Sequence, residues 1–263
     1  MPANTSPFPT KPEKRSPFPR KSLPQPGESL QDAAYDLVFQ SFIASGSVAI
    51  TVAGVAAYSW VMRWANIAVS PWLWTYGAVF MGALATWQYF RARPRLEALR
   101  LGIRGEREVG RMLEETRKLG YVVFHDLPGD GFNVDHALVG PGGVFAIETK
   151  TISKPRGRKA EVDYDGQRVL VDGHTPDRDP VAQAQGGAAH VREVLKRMTD
   201  RQVAVRPVVL FPSWMVNRRP GAWDVWVLNP KELFGYLRNE PTRLSREDIA
   251  LYVDRLTRDL SGE

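Results

Sequence analysis

Two long stretches without a charged residue constrain this chain more than any other feature. Leu37 to Met62 spans 26 residues, Trp64 to Phe90 spans 27, and Arg63 alone separates them. About 20 mostly apolar residues of helix cross the core of a bilayer. We therefore expect a two-helix hairpin that crosses a membrane twice, at about 39–62 and 68–90.

Basic residues flank this hairpin unequally, and they predict its orientation. Arg63 is the one basic residue of the turn, whereas five follow the second run: Arg91, Arg93, Arg95, Arg100 and Arg104. The positive-inside rule then places both termini in the cytoplasm, in a multi-pass protein of the cell membrane. The chain contains no cysteine, which fits a reducing compartment and excludes disulfides and thiolate metal sites.

Composition separates the remaining chain into two parts. Residues 1–36 contain eight of the 20 prolines and repeat Ser-Pro-Phe-Pro, so we expect a disordered tail. Residues 91–263 form one mildly basic domain of ordinary size, which permits a nucleic-acid or anionic-lipid partner. A lipid-surface role would rest on the arginines after the second run, although topology alone explains them.

Hydrophobic periodicity predicts the order of elements in this domain. The predicted helices cover about 100–118, 180–198, 230–237 and a last segment that begins after Ser245. The predicted strands cover about 121–126, 133–139, 144–150, 161–164, 167–171, 203–211 and 225–228. This order is typical of an α/β fold, with a mixed sheet flanked by helices.

The strand that ends Glu148-Thr149-Lys150 has the clearest chemical potential. Alternation places the carboxylate of Glu148 and the ammonium of Lys150 on one face. The preceding strand carries Asp135, so two carboxylates can reach one cation if the two strands pair. Two oxygen ligands plus waters suit Mg²⁺, and the carbonyl of Thr149 could add a ligand. An ordinary surface ion pair between Glu148 and Lys150 is the alternative.

The roles of two further residues depend on which face of their helix or strand they occupy. Glu106 shares a helical stripe with Val109, Gly110 and Leu113 that should face the core. A carboxylate there must be paired or metal-bound, whereas an acid at a helix end favoured by the helix dipole is the alternative. His136 points away from the Asp135 face, so we expect a structural role for it.

Several motifs resemble a known family when they are taken in order. They are Gly102-Ile-Arg-Gly105-Glu106, Gly120-Tyr121, Asn133-Val-Asp135-His136, Gly140-Pro-Gly-Gly143, Ile147-Glu148-Thr-Lys150 and Asp179-Pro180-Val-Ala-Gln183. Together they resemble the NERD (nuclease-related) domain, which is similar to the PD-(D/E)xK nucleases and their restriction-endonuclease-like fold. The resemblance covers about residues 98–215. Asp179 stands where the family usually has Asn.

This resemblance implies a site that uses Mg²⁺ or Mn²⁺. It implies catalytic roles for five side chains: Glu106, Asp135, Glu148, Lys150 and Gln183. The metal ligands would be Asp135, Glu148 and the backbone carbonyl of Thr149. Lys150 would assist the nucleophile, and Glu106 would complete the metal shell, directly or through water. Gln183 would hydrogen-bond within the site or touch the substrate, with an ordinary polar residue at a helix start as the alternative.

The function expected from these features is a membrane-anchored, metal-dependent nuclease that hydrolyses DNA or RNA at the cytoplasmic face. Four basic residues follow the site and could contact phosphates, with a solvated charged loop as the alternative: Lys154, Arg156, Arg158 and Lys159. The alternative is a non-catalytic module that keeps the nuclease fold and binds nucleic acid or a protein.

Overall fold

The computed structural model describes residues 25–39, 43–67, 70–154, 161–221 and 224–261. The helices of these ranges are α1 (Glu28–Val38), α2 (Ala44–Trp64), α3 (Trp72–Glu114), α4 (Pro180–Thr199), α5 (Pro230–Asn239) and α6 (Arg246–Ser261), with a 3₁₀ turn at Glu115–Leu119. The strands are β1 (Val122–Pro128), β2 (Asn133–Gly140), β3 (Gly143–Thr149), β4 (Glu161–Tyr164), β5 (Val169–Val171), β6 (Val205–Leu210), β7 (Met215–Arg218) and β8 (Trp226–Leu228).

A five-stranded mixed sheet organises the domain, with the order β1-β2-β3-β6-β8. The first three strands are antiparallel neighbours, and β6 and β8 join parallel to β3. A smaller sheet has the order β5-β4-β7. The predicted mixed α/β fold with flanking helices is therefore confirmed.

Helices cover both faces of the large sheet because its strands alternate apolar side chains between the two faces. One core joins β2 and β3 to α4 and α6, with Ala137, Val191 and Leu256 fully enclosed. The other joins the sheet to α3 and α5, with Leu113 and Leu233 at its centre. Strand β3 is central in this arrangement, and its end is consequently held on both sides.

The predicted helical hairpin forms, but its predicted crossing of a membrane is not supported. Helices α2 and α3 pack together, and Trp60 Nε1 donates a hydrogen bond of 3.0 Å to Thr75 Oγ1. In the part of the chain that the structure describes, no helix combines the length and the apolarity that a bilayer crossing needs.

For the second run, the physical reason is that absence of charge differs from apolarity. The second uncharged run carries many groups with polar atoms: Trp72, Trp74, Thr75, Tyr76, Thr86, Trp87, Gln88 and Tyr89. The predicted location at the cell membrane, with both termini in the cytoplasm, is not tested by the structure and stays a prediction.

Helix α3 is longer than predicted, since the second half of the hairpin and the first helix of the domain are one element. It has 43 residues and continues through Pro94, which corresponds to a length of about 65 Å at 1.5 Å per residue. Proline removes one helical hydrogen bond without necessarily ending a helix. The same helix therefore packs against α2 and carries Glu106.

Part of the predicted disordered tail is also ordered. Residues 1–24 lie outside the described residues, but Glu28–Val38 forms α1, which packs on α3. Gly27 precedes α1 with φ of 75°, a conformation that glycine adopts without steric cost. The prolines of the tail obscured this helix in the sequence.

The first testable prediction concerns Gly105, where α3 passes the end of β3. A Cβ atom at Gly105 would lie 1.6 Å from Thr151 Oγ1 and 2.6 Å from Thr151 Cβ. We expect Gly105→Ala to lower the free energy of unfolding by about 1–3 kcal/mol because of this overlap, although alanine alone favours helix. Thermal or urea unfolding measures the change.

The matched control is Gly235→Ala in α5, where an added Cβ would meet no atom within 4 Å. That variant should be neutral or slightly more stable, since alanine is the better helix former by about 1 kcal/mol. Equal stability of the two variants would show that α3 and the end of β3 do not pack as described.

Candidate active site

A cavity of about 760 Å³ opens where β3 ends, between α3, the start of α4 and the first turn of α1. All six positions predicted for catalysis or metal binding line it: Glu106, Asp135, Glu148, Thr149, Lys150 and Gln183. The structure therefore brings together residues that lie up to 77 positions apart in the sequence. Their individual roles stay predictions.

Strand register places the two central carboxylates beside each other. His136 of β2 pairs with Ile147 of β3 in an antiparallel ladder, so the next positions outward are Asp135 and Glu148. Asp135 Oδ2 accepts a hydrogen bond of 2.6 Å from the backbone N–H of Thr149. This bond fixes Asp135 against the end of β3.

Lys150 is held at the same strand end by both its backbone and its side chain. Its N–H donates to the carbonyl of Leu210 in β6 at 2.8 Å. Its Nζ lies 2.6 Å from Glu148 Oε1, and the two side chains are 21% and 14% exposed. The ammonium therefore faces the carboxylates, as the alternation along the strand predicted.

Glu106 faces the interior, as its helical stripe predicted. It is 7% exposed, and Gly105 beside it allows α3 to approach Thr151 closely. Burial, together with the negative charges of Asp126 and Glu148, raises the pKa of Glu106 to about 7, although the charge of Lys150 acts in the opposite direction. Near neutral pH this carboxyl can therefore either hold or release a proton.

Asp135, like Glu106, has a raised pKa. Loss of contact with water raises the pKa of Asp135 well above its usual range, and the charges of Glu148 and Glu106 add to this effect. The hydrogen bond from Thr149 and the charge of Lys150 act in the opposite direction. Three carboxylates thus lie near one ammonium, that of Lys150, and acids outnumber cations among the residues that line the cavity, which also include Arg178.

Helix α4 brings Gln183 to the cavity in its first turn. Asp179 caps the helix by accepting hydrogen bonds from the N–H groups of Val181, at 2.9 Å, and Ala182, at 3.3 Å. Asp and Asn are equally good caps, so the departure from the family pattern at position 179 preserves the helix start. Gln183 Oε1 is buried and has no hydrogen-bond partner among the described residues.

Asp126 is a further acid close to the cavity, near enough for its charge to act on Glu106, and sequence reasoning missed it. It lies in β1 between the positions that pair with β2, next to Asp135, and is 8% exposed. Its carboxylate accepts hydrogen bonds from the N–H of Ser29, at 2.7 Å, and from Asn133 Nδ2, at 2.8 Å. Its φ is 51°, a region where Asp is more frequent than most residues.

Other residues of the cavity were also absent from the sequence hypothesis. They are Ser29 and Leu30 of α1, Gly129, Gly131, Phe132 and Asn133 of the loop after β1, Arg178 before α4, and Gly186 and Gly187 within α4. The glycine-rich loop 129–131 was visible in the sequence, but its position beside the acids depends on the fold.

Of the four predicted phosphate-binding residues, the structure describes Lys154, which is exposed and does not line this cavity. Arg156, Arg158 and Lys159 lie outside the described residues, so their role stays a prediction.

The structural role expected for His136 is consistent with its surroundings. His136 is buried, its Nδ1 lies 2.9 Å from His125 Nδ1, and burial lowers the pKa of His136 to about 3.

The donor set fits Mg²⁺ or Mn²⁺ better than a metal that needs a full protein cage. Among the described residues, no group of three or more His, Asp or Glu side chains is arranged to hold a metal ion. Mg²⁺ is usually bound through one or two carboxylates and keeps several waters. Asp135 and Glu148 each use one oxygen in the contacts above, which leaves the second oxygen for a cation.

Comparison with known proteins supports the nuclease-related assignment. The family model of the nuclease-related domain (NERD) matches residues 101–212. The chain therefore carries a nuclease-related domain over these residues, which include all five predicted catalytic side chains. Neither the curated proteins nor the solved structures provide a match.

The second testable prediction uses the raised pKa of Glu106. The folded state holds this proton up to about pH 7, whereas the unfolded chain releases it near 4.5. The folded state therefore loses stability between these pH values, by at most about 3 kcal/mol. Because Glu106→Gln has no proton to lose, we expect its free energy of unfolding relative to wild type to increase from pH 5 to pH 8 in chelator.

Urea unfolding at each pH measures this difference. Glu108→Gln, at an exposed position on the same helix, is the matched control, and its difference from wild type should stay constant. A constant difference for Glu106→Gln as well would mean that its carboxyl is not buried among acids.

Proposed function

We propose, on the premise that residues 101–212 form a nuclease-related domain, that this chain hydrolyses phosphodiester bonds of DNA or RNA with Mg²⁺ or Mn²⁺. The observation that carries the proposal is the convergence of Glu106, Asp135 and Glu148 with Lys150 in one cavity. The resemblance of these four residues to the PD-(D/E)xK pattern supports the same reaction.

Asp135 and Glu148 would hold the cation, with the backbone carbonyl of Thr149 as a third ligand. When bound, the cation would lower the pKa of a water ligand and neutralise charge that develops on the phosphate. The fit of the site rests on its own charges. Burial and neighbouring carboxylates raise the pKa values of Glu106 and Asp135, and a bound cation would offset this repulsion.

Lys150 is the residue best placed to act on the phosphate. Its ammonium has three donors, of which Glu148 uses one at 2.6 Å. The others can donate to non-bridging phosphate oxygens, where negative charge grows in the transition state. The bond to Glu148 restricts the ammonium to the strand end where the carboxylates meet.

Glu106 is suited to proton transfer because its pKa is about 7. A general base is most effective when its pKa lies near the working pH. In its ionised form Glu106 can accept a proton from the attacking water, directly or through a second water. Gln183, whose Oε1 is buried without a partner among the described residues, would accept a hydrogen bond from the same water or from the substrate.

The alternative is a non-catalytic module that binds nucleic acid or protein on this fold. The bond between Lys150 and Glu148 favours it, because an ion pair can satisfy both residues without a substrate. Activity and metal binding distinguish the two functions.

The third testable prediction concerns catalysis. With Mg²⁺ or Mn²⁺, the full chain should cleave labelled DNA or RNA, and Lys150→Met should lower kcat by about 10²–10³-fold because one transition-state donor is lost. Asp135→Asn should be at least as severe because a metal ligand is lost. Gel assays on single-stranded and duplex substrates of both nucleic acids measure this.

Lys196→Met, at an exposed position of α4, is the charge-matched control and should retain wild-type activity. If wild type and the two site variants give the same background on every substrate, the catalytic proposal is wrong and the binding module is favoured.

The fourth testable prediction concerns the metal and does not depend on activity. A cation that binds only the folded state at ten times its Kd stabilises it by about 1.4 kcal/mol, which raises Tm by about 3–6 °C for a chain of this size. We expect this increase for wild type with millimolar Mg²⁺ or Mn²⁺ in thermal unfolding.

Asp135→Asn should lose most of the increase, whereas the exposed-acid control Glu108→Gln should retain it. A similar increase in all three proteins would indicate non-specific screening by the salt rather than a site at Asp135 and Glu148.

A further inference from the structure

Phe132 is an exposed aromatic ring beside the candidate active site. It is 44% exposed, and it lines the same cavity as Asp135, Glu148 and Lys150. Every other described Phe, Tyr or Trp from residue 91 onward is buried or only partly exposed. Exposure of a large apolar ring has a solvation cost that the other described rings of this domain avoid.

The ring is held in place. The N–H of Gly129 donates to the carbonyl of Phe132 at 2.8 Å, which closes the loop. A Cβ atom at Gly129 would lie 3.2 Å from Phe132 Cζ, so the ring packs closely on a position that has no side chain. His190 of α4 meets the ring edge to face, with centroids 5.5 Å apart.

His190 is itself fixed to the same loop. Its Nε2 lies 2.9 Å from the carbonyl of Pro128, and because a carbonyl only accepts, Nε2 carries the proton. The loop and helix α4 therefore position Phe132 jointly. An aromatic ring that is already ordered loses little entropy when a ligand stacks on it.

The cavity around Phe132 has the other parts that a nucleotide needs. Arg178 contributes a cation to the wall, and the acids with Lys150 contribute the proposed phosphate site. At Gly186 of α4, an added Cβ would meet no atom within 4 Å, so this wall is open and smooth enough for a chain to lie against it.

We propose that Phe132 stacks on an unpaired base next to the phosphate that is cleaved, and that the substrate is therefore single-stranded nucleic acid. This inference rests on the proposed function, which it deepens by naming the substrate class. A base in a closed duplex already stacks on both neighbours, so it offers no face to Phe132 unless it is flipped out. Stacking on an aromatic side chain contributes about 1–3 kcal/mol per base and tolerates any sequence.

The test is a binding measurement on the full chain in chelator, so that cleavage does not interfere. Fluorescence anisotropy follows labelled single-stranded DNA and RNA, with relaxed closed-circular plasmid as the duplex competitor. Phe132→Leu keeps apolar volume but removes the ring, and it should raise Kd for both single strands about tenfold, within the 5–150-fold range that 1–3 kcal/mol represents. Phe132→Tyr should stay within about twofold of wild type.

Two further measurements separate stacking from general effects. The fluorescence of 2-aminopurine in the single strand should be quenched by wild type and Phe132→Tyr, but much less by Phe132→Leu at saturation. Met215→Ala, which removes an exposed apolar side chain from the small sheet, is the control and should leave Kd unchanged. Thermal unfolding verifies that each variant folds.

Equal single-strand affinity of wild type and Phe132→Leu would overturn the inference, as would parallel losses on single strand and duplex. The outcome is separable from the proposed reaction. If wild type does not stack on the base but still cleaves with metal, only the role of Phe132 is overturned. If wild type stacks but cleaves no substrate, the proposed reaction is overturned and the binding site remains.

Discussion

Repulsion between carboxylates is the constraint on which the candidate site depends. Glu106, Asp135 and Glu148 line one cavity, and Asp126 lies close enough to raise the pKa of Glu106. One ammonium, that of Lys150, faces this group. Such an arrangement is stable in two ways: the acids retain protons above their usual pKa, or a cation replaces those protons. Metal affinity and proton affinity of the cavity are therefore expected to compete.

The sheet holds these groups together despite their repulsion. Strand β3 pairs with β2 on one side and with β6 on the other, so the segment that carries Glu148 and Lys150 cannot move away from Asp135 without breaking a ladder. Helix α3 contributes Glu106, and the close contact between Gly105 and Thr151 sets the distance between this helix and the end of β3. Side chains on strands and helices are held more exactly than those on loops, as a catalytic group requires.

Sequence reasoning reached the α/β fold and the residues that converge because those inferences rest on local periodicity and motif order. It missed Asp126 and Phe132, since their positions beside the acids arise from strand pairing and from the loop between β1 and β2. It also predicted that two uncharged runs cross a membrane, which the described residues do not support. In the second run, Trp, Tyr and Thr side chains reduce the apolarity that a bilayer crossing needs. The continuity of α3 through Pro94 could not be predicted from the sequence either, because proline usually indicates a helix boundary.

Because the cavity is acidic, the residues beside the acids, Phe132 and Arg178, become important for holding a substrate. On the proposed function, a nucleic acid would bring further negative charge toward carboxylates that already repel one another, so electrostatic attraction near Asp135 and Glu148 would be weak until a cation binds. Stacking on Phe132 does not depend on charge, and Arg178 lines the same cavity. Phe132 and Arg178 would therefore retain a strand before the cation binds, and the cation would then attract the phosphate. Binding of strand and cation should accordingly be cooperative, because each reduces the repulsion that the other meets.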